Sequence, residues 1–167
     1  MLRQRLKGVL RPKGFPAGTN FMRKCFVSAA FFDSNILVYL VDPRDKSSGK
    51  REAARELFLK RTCVLSTQVL METFNVLVKL DLANREAAEA YVRRLSLNLV
   101  MSTEPDDVLE ALEMSSRYQI SHWDGLIVRS AAKARMPVLY TEDLNHGQTY
   151  GSVRVCNPFI EDFLEAA

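Results

Sequence analysis

Residues 26–41 have the sequence FVSAAFFDSNILVYLV, and this stretch decides the fold. The apolar, β-prone run at residues 26–32 predicts a strand that ends at Asp33. Residues 36–41 form a second apolar segment and predict a short helix soon after the strand. A strand that leads through a short polar link into a helix is typical of an α/β domain.

The same alternation of strands and helices continues to about residue 160. A loop is predicted at 42–49, and strands at 62–65, 97–101, 137–141 and 153–156. Helices are predicted at 50–60, from an N-cap at Ser66 to about residue 80, and after an N-cap at Asn84. Further helices are predicted from residue 103 with Pro105 in the first turn, from Ser121 to about residue 135, and as a short cap at 158–164. This order predicts a parallel sheet covered by helices on both faces. We therefore expect one three-layer α/β domain over residues 26–160, followed by a tail at 161–167.

The composition is that of an ordinary globular domain. The chain has 167 residues, of which 47% are hydrophobic and 26% are charged. No window approaches the roughly 18 consecutive apolar residues of a membrane span. The three cysteines are odd in number and widely separated, which argues against a disulfide framework or a structural zinc site. A reducing, cytoplasmic location is expected.

The positive charge is confined to the N-terminus. Seven of the 23 basic residues lie in residues 1–25, where no acid occurs, so 16 basic residues accompany all 20 acids in the remainder. Residues 1–25 also contain several glycines and prolines, and we expect a basic, flexible extension. Its composition fits a transit peptide or a phosphate-binding tail, and it fits equally a start of translation at Met22. The domain itself is mildly acidic, so its bulk charge does not indicate nucleic-acid binding.

Several enzyme classes are excluded by motifs that the sequence lacks. It contains no GxGxxG after a strand, no P-loop, no HExxH helix and no GxSxG elbow. The sequence after Asp33 lacks the second aspartate that a haloacid-dehalogenase phosphatase requires. A phosphoacceptor receiver domain is disfavoured, because the acids are spread over four elements and no lysine follows the fourth strand.

Four acids occur where the predicted strands end or the adjacent helices begin: Asp33, Glu72, Asp124 and Asp143. Each has an ordinary alternative role. Asp33 is a good N-cap, Asp124 can complete a capping box with Ser121, and Asp143 can be a turn residue. Glu72 lies in an almost wholly apolar helix, where a carboxylate needs a cation, a salt bridge to Lys79 or an arginine, or a solvent-facing stripe.

Together the four acids are more informative than any one of them. The carboxyl ends of parallel strands meet at one edge of a sheet, so these side chains are expected to converge on a single cleft. Mutual repulsion disfavours their common ionisation, and a hard divalent ion with oxygen ligands relieves it. The set therefore indicates a metal site suited to phosphodiester chemistry. Glu142, which precedes Asp143 in the sequence, is expected to point in the opposite direction, into solvent.

Four segments resemble the motifs of PIN domains, and most closely those of VapC-type ribonuclease toxins. They are FFDSNILVY at residues 31–39, the helix that contains Glu72, HWDGLI at 122–127 and LYTEDLNHG at 139–147. The resemblance runs in order from about Phe31 to Phe159. It departs at residues 1–25, because such toxins usually begin within a few residues of the first strand.

The resemblance implies a Rossmann-like, five-stranded parallel sheet and a Mg²⁺- or Mn²⁺-dependent endoribonuclease. Asp33, Glu72, Asp124 and Asp143 match the family's metal-holding acids, and Thr141 matches the hydroxyl residue that precedes the last acid by two. Ser34 and Asn35 match supporting polar positions. The implied partners are RNA, a cognate antitoxin that occupies the active-site groove, and a second copy of the chain. The products would carry 5′-phosphate and 3′-hydroxyl ends.

Two points stay open at the level of the sequence. The same fold could act as a non-catalytic RNA- or protein-binding module, which the intact acids argue against. Arg129, Lys133 and Arg135 follow Asp124 on its helix, where they either hold phosphates or, as we favour, form a solvated face.

Overall fold

The computed structural model describes residues 29–44 and 49–160 of the chain. The elements are β1 (Ala29–Phe32), α1 (Ser34–Tyr39), α2 (Lys50–Lys60), β2 (Thr62–Ser66), α3 (Thr67–Lys79), α4 (Arg85–Leu95), β3 (Leu99–Met101), α5 (Pro105–Tyr118), α6 (His122–Lys133), β4 (Val138–Tyr140), β5 (Thr149–Tyr150) and β6 (Val153–Cys156). The predicted alternation is confirmed. The N-terminal extension, the start of the first strand, residues 45–48 and the tail lie outside the described residues, so those expectations stay predictions.

The sheet has the strand order β3-β2-β1-β4-β6-β5. Its first five strands in that order are parallel, as predicted, and β5 pairs antiparallel with β6. The expected total of five strands is therefore corrected to six. The sixth strand is a two-residue hairpin arm that turns back through Gly151, which has a φ of 62°. Two residues are too few to produce an alternating hydrophobic pattern.

The order in which strands are added to the sheet reverses at the central strand β1. The strands β2 and β3 lie on one side of β1, whereas β4 and β6 lie on the other. The backbone N–H of Asp33 donates to the carbonyl of Tyr140 at 3.0 Å, which extends the pairing of β1 and β4 by one residue. A crevice at the carboxyl ends of the strands is the usual ligand position where the order reverses in this way.

The core fills both faces of the sheet. Phe31 and Phe32 point to opposite faces of β1 and are both fully buried, as are Leu65 and Leu139 on the neighbouring strands. Burial on both faces requires helices above and below, which is the predicted three-layer arrangement. No helix in the described ranges combines the length and apolar character that a membrane span requires.

Helix starts follow the predicted capping residues. The side chains of Ser66, Asn84 and Ser121 each accept a hydrogen bond from a backbone N–H in the first turn of α3, α4 and α6. Pro105 opens α5, where its missing N–H leaves no donor unsatisfied. The local rules of helix initiation are thus sufficient to place these boundaries.

A buried ion-pair cluster joins α5 to α6. Asp107 is 3% exposed and accepts hydrogen bonds from Arg129 at 3.0 Å and from Lys133. Arg129 also pairs with Glu110 at 2.6 Å. Arg129 and Lys133 therefore belong neither to a phosphate-binding surface nor to a purely solvated face, and the favoured interpretation of these two residues is wrong. Their shared partner Asp107 lies 22 positions from Arg129 and 26 from Lys133, beyond the reach of helical spacing.

Replacing Asp107 by Asn is expected to lower the free energy of unfolding by about 3 kcal/mol, because it removes the anion that pairs with Lys133 and one of the two that pair with Arg129. Burial pushes the pKa of Asp107 upward, but hydrogen bonds from Lys133, the Glu104 backbone and Arg129 outweigh it and hold that pKa below its usual value. The stabilisation should therefore be full at neutral pH and disappear only as strong acid protonates the folded-state carboxylate. Urea unfolding measures the loss.

The matched control for this variant is Asp106→Asn. Asp106 is exposed in the same helical turn and undergoes the same change of charge. It is expected to cost less than about 1 kcal/mol, the size of a helix-dipole contribution. Equal losses in the two variants would show that the cluster contributes nothing beyond that dipole effect.

Candidate active site

The four predicted acids lie around one cavity of about 620 Å³. Asp33 directly follows β1, Glu72 lies in the second turn of α3, Asp124 in the first turn of α6, and Asp143 follows β4. All four line the cavity, together with Ser34. The expected convergence of these side chains is therefore observed, and their chemical roles stay predictions.

Asp33 is the most buried of the acids, with 3% exposure. Its Oδ1 caps α1 by accepting the Ser34 N–H at 2.6 Å, and its Oδ2 accepts the Thr141 hydroxyl at 2.7 Å. Burial raises the pKa of Asp33 to about 7, against the effect of these two hydrogen bonds, and the charges of Asp143 and Glu72 raise it further. The capping role is thus real and coexists with a position at the cavity.

Asn35 and Thr141 connect Asp33 to Asp143. The Asn35 amide nitrogen donates to Thr141 Oγ1 at 3.1 Å and to Asp143 Oδ2 at 3.0 Å. Thr141 Oγ1 also accepts the backbone N–H of Asp143 at 3.1 Å. Thr141 is 1% exposed, so the network is fixed in position. These contacts hold the two carboxylates in a defined relative orientation.

Glu72 receives hydrogen bonds from neutral side chains. Gln68 Nε2 donates to Glu72 Oε1 at 2.8 Å, and the Ser34 hydroxyl donates to Glu72 Oε2 at 3.3 Å. None of its hydrogen bonds comes from a lysine or arginine of the described residues, so the alternative of a salt bridge to Lys79 or an arginine is not observed. The Glu72 carboxylate therefore lines the cavity without a lysine or arginine partner among the described residues.

Gln68 is a site residue that the sequence did not single out. Its Nε2 bridges Glu72 on its own helix and the carbonyl oxygen of Trp123 on α6, the latter at 3.2 Å. The available signal was its position four residues before Glu72, which places both side chains on one helix face. The contact with α6 depends on tertiary packing and has no local signal.

Asp124 combines the two roles that the sequence offered as alternatives. The Ser121 hydroxyl oxygen accepts the Asp124 N–H at 3.0 Å and donates to Asp124 Oδ2 at 2.7 Å. The carboxylate is thus restrained at the start of α6 while it lines the cavity. Gly125 follows it where a Cβ atom would approach the Ala111 carbonyl oxygen to 2.6 Å, so close packing against α5 also fixes this turn.

Glu142 is partly exposed but paired, whereas a freely solvated side chain was expected. It pairs with Lys50 Nζ at 2.6 Å and accepts the Tyr39 hydroxyl at 2.7 Å. Lys50 also donates to the Tyr39 hydroxyl at 3.0 Å. This contact ties α1 and α2 to the segment that carries Thr141 and Asp143. Glu142 does not line the cavity, and its partner Lys50 lies 92 positions away in the chain.

The donor set fits a hard divalent cation. Among the described residues that line the cavity, all of the charged groups are carboxylates. The side-chain oxygen Gln68 Oε1, of a lining residue, is buried without a hydrogen-bond donor, and so is Asn35 Oδ1, whose amide nitrogen donates to Asp143 beside the cavity. Among the described residues, no three histidine, cysteine or acidic side chains are close enough to hold an ion alone. A Mg²⁺-like ion that uses few carboxylates and keeps several waters suits this spacing better than a closed cage.

Solved structures with the same fold include bacterial toxins. The chain is similar to Mycobacterium tuberculosis VapC20, a Sarcin-Ricin loop cleaving toxin, at 20% identity and a TM-score of 0.57 over 66% of this chain and 87% of that one. It is similar to a toxin–antitoxin complex from Klebsiella pneumoniae at 19% identity and a TM-score of 0.59, over 78% and 98% of the chains. For VapBC2 from Rickettsia felis, bound to a promoter DNA fragment, the identity is 16% and the TM-score 0.54, over 76% and 96%.

Sequence comparison assigns the family. No curated protein has a significant sequence match to the chain. The family model of the PIN domain matches residues 30–151. This range includes all four acids and the helices α3 and α6, which carry Glu72 and Asp124. Since this match covers most of the 167 residues, the chain belongs to the PIN-domain family.

Proposed function

We propose that this protein is a Mg²⁺- or Mn²⁺-dependent endoribonuclease that acts in the cytoplasm as the toxin of a toxin–antitoxin pair. The observation that carries the proposal is the meeting of four carboxylates, from four separate elements, at one cavity whose described lining contains no cationic side chain. The similarity of the fold to VapC20 and to a toxin–antitoxin complex supports the choice of RNA as substrate and of a toxin as the class.

Asp33, Glu72, Asp124 and Asp143 would hold the ion. A divalent ion in such a site supplies charge compensation for the scissile phosphate and activates water for attack. Asp33 must lose its proton to become a ligand, because burial raises its pKa to about 7. Thr141 and Asn35 keep Asp33 and Asp143 aligned, while Ser34 and Gln68 orient the two oxygens of Glu72.

Hydrolysis then needs a proton acceptor and a defined direction of attack. A carboxylate that is not fully engaged with the cation can take the proton from the attacking water. The bond that breaks is the one between phosphorus and the 3′ oxygen, which leaves 5′-phosphate and 3′-hydroxyl ends. The four acids come from four separate parts of the chain and all line the cavity where the reaction would take place.

The test is a titration of Mg²⁺ and Mn²⁺ against cleavage of structured RNA by the purified chain. We expect no cleavage with chelator and cleavage that rises with either metal. The products should accept a 3′ ligation adapter, because this ligation requires a free 3′-hydroxyl. Cleavage that persists unchanged in chelator, or RNA binding with no cleavage at any metal concentration, would contradict the proposal. The second result would favour the non-catalytic binding module.

The proposal includes two protein partners, an antitoxin and a second copy of the chain. Large apolar side chains are exposed on and beside β3 and α5, including Leu97, Leu99, Leu109 and Leu112. We expect a partner protein to pack on exposed apolar side chains of this size. Light scattering on the purified chain should give the mass of a dimer, and co-expression with a small adjacent open reading frame should abolish RNA cleavage.

A further inference from the structure

The cavity has one large aromatic ring in its wall. Trp123 is the only tryptophan of the chain, and it is 56% exposed although most tryptophans are highly buried. Met71, which lines the same cavity, is 60% exposed. An apolar surface next to four carboxylates has no function in holding a cation. The apolar surface is therefore suited to a ligand group that has a flat, apolar face.

The ring is held at a fixed place relative to the acids. Trp123 precedes Asp124 in the first turn of α6, and its carbonyl oxygen accepts a hydrogen bond from Gln68 Nε2 at 3.2 Å. The same Gln68 nitrogen donates to Glu72. The His122 ring lies 4.9 Å from the Trp123 ring, centroid to centroid, and supports it from one side. The backbone from which the indole projects is thus coupled to two of the acids, Glu72 through Gln68 and Asp124 as its neighbour in α6.

The charge of the described cavity wall favours a contact with RNA that does not depend on charge. None of the 13 described residues that line it is lysine, arginine or histidine. Arg129 and Lys133, the arginine and lysine of α6, are paired with Asp107. Apart from a bound cation at the scissile phosphate, the described wall offers no positive charge to RNA, so its side chains cannot hold the neighbouring phosphates by ionic contacts. Base stacking is independent of charge and is worth about 1–3 kcal/mol per base.

We propose that Trp123 is a stacking platform for an unpaired RNA base next to the scissile phosphate, with Met71 completing the apolar surface. The proposal rests on the ribonuclease function proposed above. It specifies the substrate as an unpaired nucleotide in a loop, bulge or single strand, since a base inside a duplex already has both faces stacked. Trp123 is then a positioning residue that sets affinity for RNA and leaves the chemical step to the acids.

The single tryptophan makes the contact directly observable. In Mg²⁺, a short single-stranded oligoadenylate with phosphorothioate linkages, which resist hydrolysis, should quench the Trp123 fluorescence in a saturable manner. The same backbone with abasic sites and a duplex of the same length should quench far less. Equal quenching by the abasic chain, or no quenching by the oligoadenylate, would overturn the proposal.

Variants separate this proposal from the ribonuclease assignment. Trp123→Ala should raise KM for RNA cleavage by roughly 5- to 150-fold, the equivalent of one lost stack, with kcat and the metal dependence unchanged. Trp123→Phe keeps an aromatic face and should restore most of the affinity. Thermal unfolding of the three proteins controls for folding.

The outcomes are distinguishable. If the wild type cleaves RNA and Trp123→Ala has an unchanged KM, the stacking proposal is wrong and the ribonuclease assignment stands. If oligoadenylate quenches the fluorescence while no RNA is cleaved under any condition, stacking is supported and the ribonuclease assignment fails. If quenching is produced only by an antitoxin, the ring belongs to a protein interface and the stacking proposal is overturned.

Discussion

Asp33→Asn is expected to reduce RNA cleavage at saturating Mg²⁺ by at least about 100-fold, more than the loss of a group that merely orients a ligand. Asp33 lies at the centre of the site, where Thr141 contacts it and Asp143 and Glu72 act on its charge. Asn keeps the size of the side chain and caps helices as well as Asp does, so α1 should form normally. The loss should therefore be chemical and not a consequence of unfolding.

The control for this variant is Asp81→Asn. Asp81 is exposed beyond the end of α3 and has a φ of 53°, a conformation that Asn adopts readily. It undergoes the same change of net charge, nine residues along the chain from Glu72. Its cleavage rate should equal that of the wild type. A wild-type rate in Asp33→Asn at matched stability would falsify the assignment of Asp33 to the site.

The second large effect concerns stability without metal. Burial raises the pKa of Asp33 from 3.8 to about 7, so the folded state binds a proton that the unfolded state releases. The free energy of unfolding should therefore fall as pH rises from about 4 through 7 and level off above that range. A pKa change of this size corresponds to about 4 kcal/mol, a large part of the stability of a domain.

Urea unfolding at pH 5 and pH 8, in chelator, measures this effect. Asp33→Asn cannot ionise, so it should be more stable than the wild type at pH 8 and close to it at pH 5. Adding Mg²⁺ at pH 8 should stabilise the wild type and leave the variant nearly unchanged, because the cation compensates a charge that only the wild type has. A difference between the two proteins that is independent of pH would contradict the raised pKa.

Much of the fold could be predicted because it is specified locally. The signals lie within a few residues of the elements that they define. They are the apolar run before Asp33, the caps Ser66, Asn84 and Ser121, and Pro105 at the start of α5. The meeting of the four acids was also predictable. It follows from parallel strand ends, which lie at one edge regardless of the details of packing.

What the sequence did not reveal depends on contacts between distant segments. The partner of Glu142 is Lys50, 92 positions away, and the partner of Asp107 is Arg129, 22 positions away. A charged residue has the same local appearance whether it is solvated or paired, so sequence patterns favour the commoner solvated state. The role of Gln68 as a bridge between α3 and α6 is of the same kind. The strand β5 was missed for a different reason, since it has only two residues.

Anomalous diffraction from crystals soaked in Mn²⁺ tests the central claim most directly. The claim is that a divalent ion binds in the cavity where carboxylates from four elements meet, held directly by some of them and through water by the others. We predict a manganese peak in the cavity, bonded to at least two of Asp33, Glu72, Asp124 and Asp143 and completed by water, and a much weaker peak in Asp33→Asn. An empty cavity at millimolar Mn²⁺, or a peak that contacts none of these four side chains, would contradict the claim.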